Sequence, residues 1–420
     1  MKHFSENSAK IARHGGAPRI VLYSHDTVGF GHLRRNLLLA QALRSIEPRP
    51  DILMIAGMHE AGGFHIPEGV DMLTLPAYGK TAEGTYEARH LGLDLRTIAA
   101  LRAETIKAAL TAFDPDMVIV DNVPRGCQGE LDPALRMLRK RGRARVILGL
   151  RDIIDSPETV RAQWLRQRNQ RALRDWFDEI WIYGDRAFFD LPKEYGFSAD
   201  FRARSRFMGY LDQRHRLSLP RATEAATRSV PDKDDRPFVL CAVGGGKDGA
   251  DLCHSFARTT LPPNRRGIIL TGTQMPGKDQ AALTRQIGER DDMQVLRFLP
   301  EPISLFAAAD RVITMGGYNT VCEALSFGKR SLIVPRTRPR REQVIRAERL
   351  SRAGAVDMLL PEHLSPDSLS QWLSRPQAAA RPARPLDMSG FERVRNRTAE
   401  ILARAPSIAT PSPALKEALR

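Results

Sequence analysis

The sequence predicts an α/β protein made of two parallel-sheet domains that face each other across a cleft. Its 420 residues exceed the ~250–300 at which a single hydrophobic core stops growing. Short apolar runs alternate with helical stretches over most of that length, and parallel strands joined by crossover helices are what such alternation requires. The alternation breaks once, at residues 212–236, where charge, serine and proline replace apolar periodicity.

The first domain is expected over residues 18–215, after a polar tail at 1–17. Ile20–Ser24 reads as a buried strand, followed by a glycine turn and a helix carrying Leu33, Leu37, Leu38 and Leu43 on its apolar face. Pro48 and Pro50 end that helix before a second strand, Ile52–Ala56. A helix at Thr97–Phe113 then leads to strands at Met117–Asp121, Val146–Leu150 and Glu179–Tyr183, with a basic helix near Pro133–Arg141. A linker at 216–236 precedes a second domain at 237–375. Its strands are expected at Phe238–Val243, Gly267–Leu270, Gln294–Leu296, Arg311–Thr314 and Ser331–Val334. Residues 376–403 hold a Pro/Ala/Arg-rich stretch and a final helix, and the composition of 404–420 predicts a disordered tail.

Composition narrows the function classes. A hydrophobic fraction of 42% fits a folded globular chain, and no stretch is long and apolar enough to read as a membrane span or an export signal. Cys127, Cys241, Cys253 and Cys322 lie far apart without a CxxC pair, so neither a disulfide framework nor a zinc site is signalled, and a reducing cytoplasm fits. The net charge of +15 permits an anionic partner without choosing one. Two basic stretches stand out. Arg136–Arg151 contains no acid and could meet an anionic acceptor or membrane surface, and Lys329–Arg352 could assist binding of a diphosphate. No basic motif interleaved with aromatics is present, so nucleic acid is not an expected partner.

Three loops carry candidate chemistry. Gly244, Gly245, Gly246 and Lys247 follow a strand, where adjacent glycines admit close backbone approach by a phosphate. A plain tight turn is the competing reading, and the segment is neither a Walker A motif nor a GxGxxG fingerprint. Gly316, Gly317, Asn319 and Thr320 form a second glycine turn before a helix, with Glu323 in its first turn as either a cap or an acceptor of ribose hydroxyls. In the first domain His25, Asp26, Gly29, Gly31 and His32 surround the turn after the first strand. His32 is either a general base or a helix-start histidine bonded locally. Asp121, at the end of another strand, is a second candidate base or acceptor anchor.

In order, these motifs resemble a GT-B glycosyltransferase of the group that contains the peptidoglycan N-acetylglucosaminyltransferase. The resemblance rests on HDTVGFGHLRR at His25–Arg35, VGGGKDG at Val243–Gly249, FLPEPI at Phe298–Ile303, and the long span from Met315 to Leu350. It implies two Rossmann-like domains and a donor site in the second. Phe298 and Leu299 would border the base, Gly317 and Thr320 the phosphates, Glu323 the ribose, and Gln343 the donor sugar or adjacent phosphate. His32 would face them across the cleft. Two departures are visible: the first loop reads VGFGH rather than GGxGGH, and Arg336–Arg341 replaces a shorter acidic-histidine approach to Gln343.

The implied function is inverting transfer of a sugar from a nucleotide-diphosphate donor, UDP by resemblance, to an acceptor hydroxyl. No metal and no cofactor are expected. The acceptor is a glycan, a lipid-linked intermediate or a small molecule, and the chain is expected in the cytoplasm, open to peripheral association with the inner face of a membrane. A nucleotide-sugar epimerase or hydrolase of the same fold is the alternative, with nucleic-acid binding behind it.

Overall fold

The computed structural model describes residues 16–25, 30–57, 64–80, 86–218, 235–288, 290–376 and 384–403. Fifteen strands are present among them. In the first domain these are β1 (Arg19–Ser24), β2 (Asp51–Ala56), β3 (Val70–Thr74), β4 (Tyr78–Lys80), β5 (Tyr86–Ala88), β6 (Met117–Asp121), β7 (Arg145–Arg151), β8 (Glu179–Tyr183) and β9 (Ser205–Phe207). In the second they are β10 (Phe238–Ala242), β11 (Arg266–Leu270), β12 (Met293–Leu296), β13 (Arg311–Thr314), β14 (Arg330–Ile333) and β15 (Asp357–Met358).

All pairings in the two large sheets are parallel. The first sheet runs β3-β2-β1-β6-β7-β8-β9 and the second β12-β11-β10-β13-β14-β15; β4 and β5 form a separate antiparallel hairpin. The runs that become central strands are apolar on both faces, with Ile20, Val21 and Leu22 at 0% exposure, because helices cover both sides of each sheet. Helix ends follow local chemistry. Asp94 caps Leu95–Phe113 by accepting from Thr97 N at 2.8 Å, and Ser156 caps Pro157–Arg166, whose proline sits where its missing N–H costs nothing.

In each sheet the strand order reverses direction of growth at one point, β1/β6 in the first and β10/β13 in the second. In open α/β sheets such switch points open a crevice at the carboxyl ends of the strands, where ligands bind. In the chain the three glycine motifs follow directly on β1, β10 and β13, and Asp121 ends β6.

Buried polar contacts join the domains. Arg346 of the second bonds Asp152 of the first at 2.7 Å, with both side chains 1% exposed. The Tyr318 hydroxyl donates to Tyr183 O at 2.8 Å, and Asn319 Nδ2 donates to Gly31 O at 2.7 Å. The last helix, Gly390–Ala403, returns to the first domain: Phe391, Val394 and Ile401 enter the same core as Leu33, Leu39 and Leu43. A bridge between Leu211 and Ser389 fixes its entry. Residues 1–15, residues 219–234 of the expected linker and the tail 404–420 lie outside the described residues.

Candidate active site

Between the domains lies a cleft of about 600 Å³. Phe30, Gly31, His32, Arg34, Arg35 and Arg151 form the first-domain wall. Gly244–Asp248, Gly272–Gln274, Phe298, Leu299, Gly317–Thr320, Glu323, Arg336, Arg340 and Gln343 line the opposite side. Of the sequence-predicted donor residues, all but Gly316 reach the cleft.

The glycine turns are dictated by backbone crowding. Gly246 has φ +92°, and a Cβ there would sit 2.0 Å from the Thr271 carbonyl oxygen, so only glycine lets this loop close on the next one. Gly316 also has positive φ and turns behind the cleft, its carbonyl accepting from Arg346 Nη1 at 3.0 Å. Gly317 differs: a Cβ there would meet nothing within 4 Å. It leaves open space at the start of helix Tyr318–Ser326, whose first N–H groups have no partner within the helix and favour an anion. Lys247 sits exposed at the rim.

On the first-domain wall, His32 and Arg35 stand three residues apart on helix Gly31–Arg44, hence on one face. Both meet Asp121. His32 Nδ1 hydrogen-bonds one carboxylate oxygen, while Arg35 contributes Nε at 2.8 Å and Nη2 at 2.6 and 2.7 Å. Burial opposes ionisation of Asp121, but Arg35 and then His32 outweigh it and hold the carboxylate well below its usual range. The Asp121 carboxylate is placed to accept from a protonated Nδ1, the tautomer that leaves the Nε2 lone pair free, and Arg35 Nη2 also lies 3.0 Å from Nδ1. Asp121 is 1% exposed and does not line the cleft, so its geometry is that of a partner to His32 rather than a base acting on a ligand. His25 is also set back, its ring centroid 5.1 Å from that of His32. Asp26 and Gly29 lie outside the described residues.

Across the cleft, the Phe298 ring centroid lies 5.4 Å from that of Phe30 and 6.5 Å from that of Phe64, and Arg34 Nη2 donates to Leu299 O at 3.2 Å. Gln343 Oε1 accepts from Arg336 N at 3.0 Å, which fixes the orientation of its amide. Glu323 is 2% exposed and accepts from Arg216 Nη1 at 2.6 Å. Arg151, at the end of β7, has no carboxylate partner among the described residues. Burial pushes its guanidinium down to about 10, with Glu342 opposing.

Sequence reasoning missed Arg34, Arg35, Arg151 and Arg216 as individual residues. The signal for Arg35 was present in its i, i+3 spacing from His32. Arg216 had none, because its carboxylate partners are distant in sequence.

Residues 241–390 match the model of the glycosyltransferase family 28 C-terminal domain. A relative from Solidesulfovibrio magneticus, a UDP-N-acetylglucosamine--N-acetylmuramyl-(pentapeptide) pyrophosphoryl-undecaprenol N-acetylglucosamine transferase, is 24% identical over 350 residues, covering 80% of this chain and 83% of its own. This chain is a GT-B glycosyltransferase. Among solved structures, the transferase resembles Acinetobacter baumannii MurG at TM-score 0.50 and 16% identity, over 90% of this chain and 95% of the other. A putative UDP-N-acetylglucosamine 2-epimerase from Listeria monocytogenes matches at TM-score 0.61 and 14% identity, over 92% and 96%. Both likenesses are of fold.

Proposed function

We propose that the transferase moves a sugar from a UDP-linked donor to an acceptor hydroxyl with inversion at the anomeric carbon. The observation that carries this reading is one cleft in which two glycine turns of the second domain face a histidine held by a buried aspartate in the first. The UDP-sugar donor named for the Solidesulfovibrio relative, aligned over most of both chains, supports the choice of nucleotide.

In the proposed reaction the acceptor oxygen attacks the anomeric carbon as the bond to the donor diphosphate breaks. The acceptor proton goes to His32 Nε2, and the electron pair of the broken bond leaves on the diphosphate. Asp121 stabilises the resulting imidazolium, and Arg35 keeps Asp121 ionised. The start of helix Tyr318–Ser326 and the turn at Gly244–Gly246 stabilise the leaving charge through backbone N–H groups, with Arg336 and Lys247 nearby. In this reading these N–H groups and cations supply the counter-charge to the diphosphate without a metal ion. Phe298 and Leu299 border the base, Glu323 takes the ribose, and Gln343 faces the donor sugar. Acceptor binding falls to the first-domain wall. The protein works in the cytoplasm, on a lipid-linked, glycan or small-molecule acceptor.

The test is a panel of UDP-sugars incubated with and without candidate acceptors, reading free UDP, free sugar and isomerised donor. UDP release and a new glycoside only when acceptor is present support transfer. Acceptor-independent isomerisation would overturn it in favour of an epimerase.

A further inference from the structure

We infer that Arg216 is a positioning residue for donor selection: it clamps the Glu323 carboxylate in the orientation that recognises the ribose 2′- and 3′-hydroxyls, and so sets preference for a ribonucleotide donor. This rests on the proposed donor site.

Arg216 lies on the short helical segment Gln213–Ser218, where the chain leaves the first domain. Its side chain is buried, and the guanidinium spans two carboxylates of the second domain. Nε and Nη2 reach Glu301 at 3.1 and 2.6 Å, and Nη1 reaches Glu323 Oε1 at 2.6 Å and Gln213 Oε1 at 2.9 Å. Glu301 is itself anchored, its Oε1 accepting from Ile303 N at 3.0 Å. The clamp therefore has a fixed far end, and its planar fork leaves Glu323 little rotational choice.

A carboxylate that bonds a diol must present an oxygen in a defined direction. Glu323 lines the cleft and its Oε1 is occupied by Arg216, so Oε2 remains to accept from the ligand. Without the clamp, a carboxylate on a three-torsion side chain would distribute between rotamers and lose the directional bond. The same segment is tied to helix Gly31–Arg44, since Gln41 Nε2 donates to His215 O at 2.8 Å. The ribose contact is thus braced from the element that carries His32.

The experiment compares binding of UDP and 2′-deoxy-UDP by calorimetry to wild type, Arg216→Met, Arg216→Lys and Glu301→Gln, with thermal melts as folding controls. Wild type is expected to prefer UDP by roughly tenfold or more, the usual order for one directed hydrogen bond to a charged group. Arg216→Met should bring that preference to within about threefold, while Arg216→Lys and Glu301→Gln shift it part-way. Turnover at saturating donor should fall less than donor affinity, a split that loss of a merely structural contact would not produce. Should Arg216→Met not fold, Arg216→Lys and Glu301→Gln carry the test. A wild-type enzyme that does not distinguish the two nucleotides overturns the ribose assignment of Glu323 and the clamp with it. A wild-type preference that survives in all folded variants overturns the clamp alone.

Discussion

Replacing Asp121 by asparagine separates what the buried carboxylate does for the fold from what it does for His32. Asp121 and Arg35 have side chains 2% and 3% exposed and share three contacts of 2.6–2.8 Å. Removing one partner of a buried ion pair costs about 3–5 kcal/mol, because the other charge is left uncompensated. The asparagine oxygen still accepts one bond from Arg35, so the loss should lie at the lower end. The effect on turnover has a different origin. An amide can donate to Nδ1, which would move the imidazole proton to Nε2 and remove the base, and a positioned general base is worth about 10²–10⁴ in rate.

The expected result is therefore kcat lower by about two to four orders of magnitude with UDP affinity nearly unchanged. Stability by chemical denaturation should fall by about 3 kcal/mol. Combining Asp121→Asn with Arg35→Met removes the stranded cation, so it should recover much of the stability and none of the turnover. The pH dependence supplies an independent check. A carboxylate held below its ordinary value of about 3.9 stabilises the fold at neutral pH and loses that contribution as pH falls through its folded value. The stability gap between wild type and Asp121→Asn should then narrow in acid below about pH 4. A folded Asp121→Asn enzyme with kcat within about threefold of wild type would refute the assignment of His32 and Asp121 as a unit.

Glycine substitutions should divide by what surrounds them. Gly246→Ala, whose Cβ would lie 2.0 Å from a backbone oxygen at positive φ, should fail to fold the second domain normally, as read by melting temperature. Gly317→Ala has open space and ordinary φ, so it should melt like wild type yet bind UDP at least tenfold more weakly if phosphate approaches there; unchanged affinity would remove that turn from the donor site. Glu130→Gln disturbs a buried group far from the chemistry, since Glu130 accepts from Arg102 Nη2 at 2.9 Å and from the Tyr78 hydroxyl at 3.2 Å with no part of it lining the cleft. It should cost about 3–5 kcal/mol in denaturation while leaving kcat of the folded enzyme intact.

The strands legible in the sequence are those buried on both faces. Residues 20–23 and 117–120 and the strand Phe238–Ala242 are continuous apolar runs because helices cover both sides, and their composition announces it. β3, β9 and β15 lie at or next to sheet edges, and β9 and β15 are only three and two residues long, too short for any periodicity to register. The final helix was readable as a helix, but an apolar stripe names no partner. That Phe391 and Val394 pack beside Leu39 of the first domain, after the whole second domain has intervened, depends on contacts across the chain. Gln213–Ser218 shows the same limit from the polar side. Its charge reads as solvated linker, whereas Arg216 is 3% exposed because two carboxylates about a hundred residues away neutralise it.

Charge illustrates why local placement, and not the balance of +15, bears on function. The stretch Arg136–Arg151, which holds no acid of its own, finds its acids elsewhere: Arg141 and Arg143 pair with Asp114, and Arg139 and Arg145 with Asp178. These pairs lie at the surface, and their acids offset much of the stretch's apparent potential to attract an anionic surface. Within Lys329–Arg352, Arg346 is sealed against Asp152, and Arg349 meets Glu194. What remains directed at the cleft is a small set from both domains, Arg34 and Arg151 on one wall and Arg340 with Arg336 on the other. Of these, Arg336 is shared with Asp248 and Glu342, whereas Arg151 keeps no carboxylate among the described residues. Burial without an ion-pair partner disfavours the charged guanidinium, and Glu342 nearby offsets only part of that cost. The positive charge of the cleft is thus local, and the proposed diphosphate binding would draw on these four residues rather than on the chain's net charge.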